Sequence, residues 1–295
     1  MVWLRNPKKK IRSILIKIGQ GRVSEADIAS LMELLDRDPS AVPEVLGALA
    51  GILNKDNTKA YSSVITILNM AAEKEPELVA GILDAVMGCI RRGKEVPEDW
   101  ILGSLEILIK ISQKYPEKLG CVISDLIMCL ENMSVSVREK SYFLLAYLAI
   151  LQPGVFNGHS KDLVRALNGL NIDERIYSCR LIKKIAEKDP KIVESTYGIL
   201  EDLSLNHLDS NLRSEAAYAV ETLNIIKQKP SGSVKANKVT SEKKEKIMAS
   251  CYLIKDMPEA SDINFSELVE LIDVNKKDIE NILNGLGLEH MIVKK

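Results

Sequence analysis

The side chains that could do chemistry are few and scattered. The three histidines, His159, His207 and His290, stand far apart in the chain. Their spacing to other histidines, cysteines and acids predicts no metal site. Gly19-Gln20-Gly21 follows a helical pattern rather than a strand, so it lacks the context of a phosphate-binding loop. The cysteines Cys89, Cys121, Cys129, Cys179 and Cys251 are odd in number and form no C-x-x-C pair. Four of them fall inside apolar helical runs, which reads as small core residues in a reducing, cytoplasmic compartment. No Ser or Cys stands in a nucleophile context. The sequence therefore predicts a non-enzymatic protein with no catalytic residue, cofactor or metal. What remains is positive charge. Lys8, Lys9, Lys10, Asn275, Lys276 and Lys277 are candidate nucleic-acid contacts, and Arg138, Arg175 and Arg213 recur at near-constant spacing.

The elements that must position these residues are helices. Pro39, Pro76, Pro116, Pro153 and Pro190 are separated by 37, 40, 37 and 37 residues. A period of this kind marks a stacked repeat array. Eight residues before each proline stand Leu31, Leu68, Leu108, Leu145 and Ile182. Three after it stand Val42, Val79, Leu119, Phe156 and Val193, and ten after it Leu49, Val86, Leu126, Leu163 and Leu200. A proline disfavours helix in the residue before it and removes a backbone donor, so it ends a first helix, A. It can then open a second helix, B, where the missing N–H costs little. Each unit is thus a helical hairpin that must stack on its neighbours. The one long step is explained by Arg91-Arg92-Gly93-Lys94-Glu95-Val96-Pro97, expected as an exposed basic loop. His159-Ser160-Lys161 should start a B helix, with His159 or Ser160 as N-cap.

Residues 1–22 carry seven basic residues and no acid. Ile11, Ile14, Leu15 and Ile18 share one helical face there, which predicts a helix capping the first repeat. Ser24-Glu25-Ala26-Asp27 has the form of a capping box. The longest apolar run, Tyr142–Leu151, is half of what a membrane span needs, so no span is expected.

Two strings carry a family resemblance. Ser134-Val135-Ser136-Val137-Arg138 is followed by Ser141, Leu145 and Leu148. Asp209-Ser210-Asn211-Leu212-Arg213 is followed by Ala216, Ala217, Val220 and Leu223. Residues 23–226 resemble HEAT repeats, most closely over 134–226. The repeats at Tyr61 and Ile101 lack the arginine and are equally armadillo-like. The resemblance implies an α-solenoid with helix A outside and helix B lining a concave side. It also implies a structural role for Arg138, Arg175 and Arg213, tying neighbouring repeats together.

Residues 229–240 read as a polar linker. Beyond them, Phe265-Ser266-Glu267-Leu268-Val269, Ile279, Leu283, Leu286 and Met291-Ile292 follow the order helix, short strand, helix, turn, helix, strand. Residues 241–295 thus resemble a winged-helix domain. The resemblance implies a third helix, opening with Asn275-Lys276-Lys277, that reads DNA in the major groove. Against that role, residues 251–295 carry five lysines, no arginine and nine acids.

The fold expected is all-α: a capping helix (1–22), a HEAT-like α-solenoid (23–228), a linker (229–240) and a winged-helix-like domain (241–295). The function expected is a scaffold or adaptor that binds a protein partner through the solenoid surface. The alternative is a nucleic-acid-associated regulator of transcription or chromosomes, using the winged helix and the basic segments.

Overall fold

The computed structural model describes residues 7–54 and 58–228. Every described element is helical. The expected linker and winged-helix-like domain, with Asn275, Lys276 and Lys277, lie outside the described residues. The chain divides into two compact units, Met1–Lys118 and Leu119–Lys295.

The first unit contains α1 (Pro7–Gly19), α2 (Glu25–Arg37), α3 (Val42–Leu53), α4 (Thr58–Lys74), α5 (Pro76–Ala80), α6 (Leu83–Arg92) and α7 (Glu98–Lys114). Ile11, Ile14 and Ile18 of α1 are buried, and α1 rests on α2, α3 and α4. The helix ends in a Schellman turn. Arg22 N–H reaches Lys17 O at 2.9 Å, Gly21 N–H reaches Ile18 O at 2.9 Å, and Gly21 sits at φ 64°. A Cβ on Gly21 would also press into the backbone of Lys59. Ser24 and Asp27 form the expected capping box. An ion pair from Lys17 and hydrogen bonds from Ser24 hold the Asp27 carboxyl low, at about 2. The second half packs α4 against α7 and α3 against α6.

The second unit contains α8 (Ile123–Met128), α9 (Val135–Leu151), α10 (Ser160–Leu167), α11 (Ile172–Lys188), α12 (Tyr197–Asn206) and α13 (Ser210–Gln228). Here α9, α11 and α13 lie side by side, and α8, α10 and α12 form a second layer against them.

The proline rule is visible at every turn. Asp38, Glu75, Tyr115, Gln152 and Asp189, each before a proline, have φ between −130° and −145° and ψ between 57° and 94°. Each still donates its N–H to the carbonyl four residues back, closing helix A. Helix B departs from the expectation of one continuous helix. After Pro39, Pro116, Pro153 and Pro190 the chain first makes a 3-10 turn, and the α-helix starts later. Threefold turns suit a short segment that must bend the entering chain back onto helix A.

All of the counted columns are buried: Leu31, Leu68, Leu108, Leu145 and Ile182, with their partners three and ten residues after each proline. Ser112 keeps its hydroxyl bonded to Ile109 O at 2.6 Å. In the segment 91–97, Arg91, Glu95 and Pro97 are exposed as expected, but Arg91 and Arg92 belong to α6 and Gly93–Glu95 form a 3-10 turn rather than an open loop. Arg92 is half-buried, donates to Leu53 O at 3.0 Å and lies over the Tyr61 ring, while Arg91 pairs with Asp84. Close helix contact explains Gly103, whose missing Cβ leaves room for Ile65.

Leu145 is fully buried between α9 and its neighbours. Leu145→Ala should lower unfolding stability by about 3 to 5 kcal/mol, the range for a large-to-small change in a packed core. Denaturant titration measures this; a loss under about 0.5 kcal/mol would remove that column from the core.

Candidate functional site

The second unit brings together residues that the sequence separates. Ser124 of α8 donates its hydroxyl to Asp162 Oδ2 at 2.6 Å, and its Oγ lies 3.0 Å from His159 Nδ1. The same Nδ1 lies 3.3 Å from Asp162 Oδ2. Serine, histidine and aspartate therefore meet, but not as a relay. In a relay the acid and the serine sit on opposite ring nitrogens, and the serine proton points at the imidazole. Here both crowd one nitrogen, and the serine proton belongs to the carboxylate. His159 occupies the N-cap position of α10, as expected, but makes no side-chain capping bond there. Partial burial works to raise the Asp162 carboxyl, but hydrogen bonds from Ser124 and His159 and the nearby Arg165 outweigh it and hold it low. Arg165 also reaches Glu131 at 3.5 Å, so the cluster is a polar tie between α8 and α10.

Cys89, Cys129 and Cys179 are buried as expected, whereas Cys121 is exposed, against the core position expected of it. Burial pushes the Cys129 and Cys179 thiols up to about 12 and raises Cys89 as well. A thiol so raised gives little thiolate. Among the described residues no group of three His, Cys, Asp or Glu could hold a metal ion. Lys8, Lys9 and Lys10 lie exposed on the first turn of α1. His290 and Cys251 lie outside the described residues.

The three arginines form a ladder. Arg138 donates to Asn132 O at 2.8 Å, to Met133 O at 3.1 Å and to Asp173 at 2.7 Å, and its side chain is only 7% exposed. Arg175 donates to Leu167 O at 2.9 Å and meets His207 Nε2 at 3.0 Å. Arg213 donates to His207 O at 2.6 Å and Leu208 O at 2.9 Å. His207 Nδ1 also faces the Asp209 N–H at 3.1 Å. A neutral imidazole has one acceptor nitrogen, so it accepts from only one of these two donors at a time. Each arginine thus pins one inter-repeat loop, and Arg138 and Arg175 also reach the next one.

The pinned loops carry a feature that the sequence reading missed. Five residues before the arginines stand Met133, Leu170 and Leu208, and they are 75%, 103% and 95% exposed. Each immediately precedes a working N-cap. Ser134 accepts from Val137 N–H, Asn171 from Asp173 N–H and Asp209 from Leu212 N–H. An apolar residue before an N-cap ordinarily staples onto the fourth helical residue. That residue here is the arginine, already committed to carbonyls, and the apolar side chains project into solvent instead. Val135 and Ile172, just after two of the caps, are 49% and 43% exposed and widen the row. The signal was present in the sequence: three apolar residues, in register, inside otherwise polar loops.

Glu174 stands behind this row. It is 2% exposed, its Oε1 has no hydrogen-bond partner, and its carboxyl fills the space left by the missing side chain of Gly169. Burial first, and Glu131 second, push its carboxyl up to about 7.

No model of a known protein family matches the chain, and no curated protein matches it. Solved structures with a similar fold include designed proteins. A computationally designed armadillo repeat protein for modular peptide recognition is 15% identical, over 73% of this chain and 94% of its own, with a TM-score of 0.42. A designed armadillo repeat protein in complex with the peptide (KR)4 is 17% identical, over 75% of this chain and 96% of its own, with a TM-score of 0.42. An engineered protein is 15% identical, over 76% and 94%, with a TM-score of 0.42. At that score the likeness adds nothing to what the helix pairing within each unit shows.

The raised Glu174 carboxyl has a defined consequence for stability. Folded protein holds this proton more tightly than unfolded chain, so the advantage is full below the ordinary carboxyl range and fades as pH rises through about 7. Glu174→Gln imitates the protonated form. Thermal melts should show the variant level with the parent below about pH 4 and more stable above about pH 7.5. A difference independent of pH would contradict the assignment.

Proposed function

We propose that this chain is a non-enzymatic helical-repeat scaffold whose second unit docks a protein along its loop edge. The observation that carries this is the row of Met133, Leu170 and Leu208, exposed in repeat register. Single exposed apolar residues need no explanation, but their recurrence at one register position in successive repeats supports an interaction site. Folding gives these side chains nothing, because they touch solvent on nearly every side. The arginine ladder fixes the loops that carry them, so little ordering entropy is left to lose on binding.

The reading is tested with the full chain, tagged and recovered from its source cells. A protein should co-purify in defined proportion, and Leu170→Ser with Leu208→Ser should abolish its recovery while leaving the circular dichroism and melting temperature unchanged. Recovery that is equal with the double variant would end this reading of the edge.

A second reading rests on the exposed run Lys8, Lys9 and Lys10. In it the chain is a nucleic-acid-associated regulator, and Asn275, Lys276 and Lys277 add contacts from a winged-helix-like domain. Phosphate neutralisation predicts affinity that falls steeply with salt. In a gel shift with duplex DNA at about 150 mM salt, the full chain should retard the duplex, and Lys8→Glu, Lys9→Glu and Lys10→Glu together should release it. No shift at that salt would remove this second reading.

A further inference from the structure

The second unit ends on an open flank. By register α13 is an A helix, because Arg213 follows Arg138 and Arg175 in the same column. No B helix follows it among the described residues. The columns show what is missing. Four residues after each arginine stand Tyr142, Cys179 and Ala217. The first two are fully buried, Tyr142 stacked on Tyr177 of the next A helix at 5.0 Å, while Ala217 is exposed. Seven after each arginine, Leu145 and Ile182 are fully buried and Val220 is half-buried. Eleven after it, Ala149 and Ala186 are fully buried and Asn224 is half-buried. Helix α13 itself rests on α11 and α12. It leaves uncovered one helical stripe, Ala217, Tyr218, Glu221 and Ile225, with Tyr218 54% and Ile225 47% exposed. A repeat array needs such an end flank covered.

The chain itself supplies a cover. After Gln228, the first stretch with helical apolar spacing is Ile247, Met248, Cys251 and Ile254, at i, i+1, i+4 and i+7. Thirteen residues separate Gln228 from Glu242. Read as a polar linker, they have a root-mean-square reach of about 20 Å. Tyr218 stands ten residues before the end of α13. That is about 15 Å back along the helix axis. The reach matches the return, and a tether of matching length raises the effective concentration of its own segment most. Charge agrees. Glu221 is the one charge among the four stripe residues, and Lys243 and Lys244 stand one turn before Ile247 on the same face of the segment.

From the broken columns, the reach of the linker and the charge, we infer that residues 242–254 pack on the open flank of α13, in the place of the missing repeat. Ile247, Met248, Cys251 and Ile254 then meet Ala217, Tyr218 and Ile225. The contact is independent of the loop edge that carries Met133, Leu170 and Leu208.

Limited trypsin digestion of the full chain, read by mass spectrometry, tests this. Cleavage after Lys243, Lys244 and Lys246 should be at least about 10-fold slower than after Lys235 and Lys238, because it must wait for the segment to leave the flank. Tyr218→Glu with Ile225→Glu should bring the two rates together and leave the helical circular dichroism unchanged. The protection should be equal at about 1 and about 50 μM protein, since the contact lies within one chain. Equal rates in the parent overturn the inference. Protection that survives the double substitution also overturns it, since the segment is then shielded elsewhere. Protection that appears only at the higher concentration overturns it too and gives the flank to a second copy. Should the double variant lose helix content, Glu221→Cys provides the second arm: a short bismaleimide should join the introduced thiol to native Cys251 within one chain. A link that fails to form, or forms only between chains, overturns the inference.

Discussion

A two-helix hairpin cannot bury both of its flanks, and the described structure depends on that constraint. The A helix α9 shows it best, because it is apolar nearly all round. In α9, Leu144, Leu145, Ala146, Leu148 and Ala149 are all fully buried. One partner helix could cover only part of such a surface. The rest is covered by α8 in the second layer and by α11 alongside. Stability is therefore shared between neighbours, as expected for a repeat array.

Stacking fixes where polar groups can go. Loops between layers leave carbonyls without helical partners, and a buried carbonyl must be bonded. Arg138 and Arg213 each meet two such carbonyls with one guanidinium nitrogen, and Arg175 meets Leu167 O. A guanidinium suits this work because its donors form a rigid fork and it never loses its charge. The same loops then display Met133, Leu170 and Leu208. Holding the backbone inward turns these side chains outward. Glu174 has the opposite fate: it is drawn in against Gly169, where its charge is costly, and it keeps its proton to near-neutral pH.

Much of this was legible in the residues. The prolines gave the helix ends, because the conformational restriction before a proline is local and independent of context. The counted columns gave the core, because burial at fixed spacing imposes apolar residues there. Less legible was the break of helix B into a 3-10 turn and a later α-helix, which the packing angle imposes. The meeting of Ser124, His159 and Asp162 was hidden as well, since it joins neighbouring repeats 35 and 38 residues apart. Its chemistry was also beyond spacing, because which ring nitrogen faces which oxygen is a matter of distances.

The sequence by itself determined the hairpins, their period and their core, since each follows from local backbone preference and apolar spacing. Only the tertiary structure decided the status of residues outside the core. Met133, Leu170 and Leu208 have the composition of staples, and Arg92 that of a loop charge. Whether an apolar side chain folds back or projects depends on what already occupies the place it would take. At the loop edge that place belongs to the arginines, and the row is left to meet another surface.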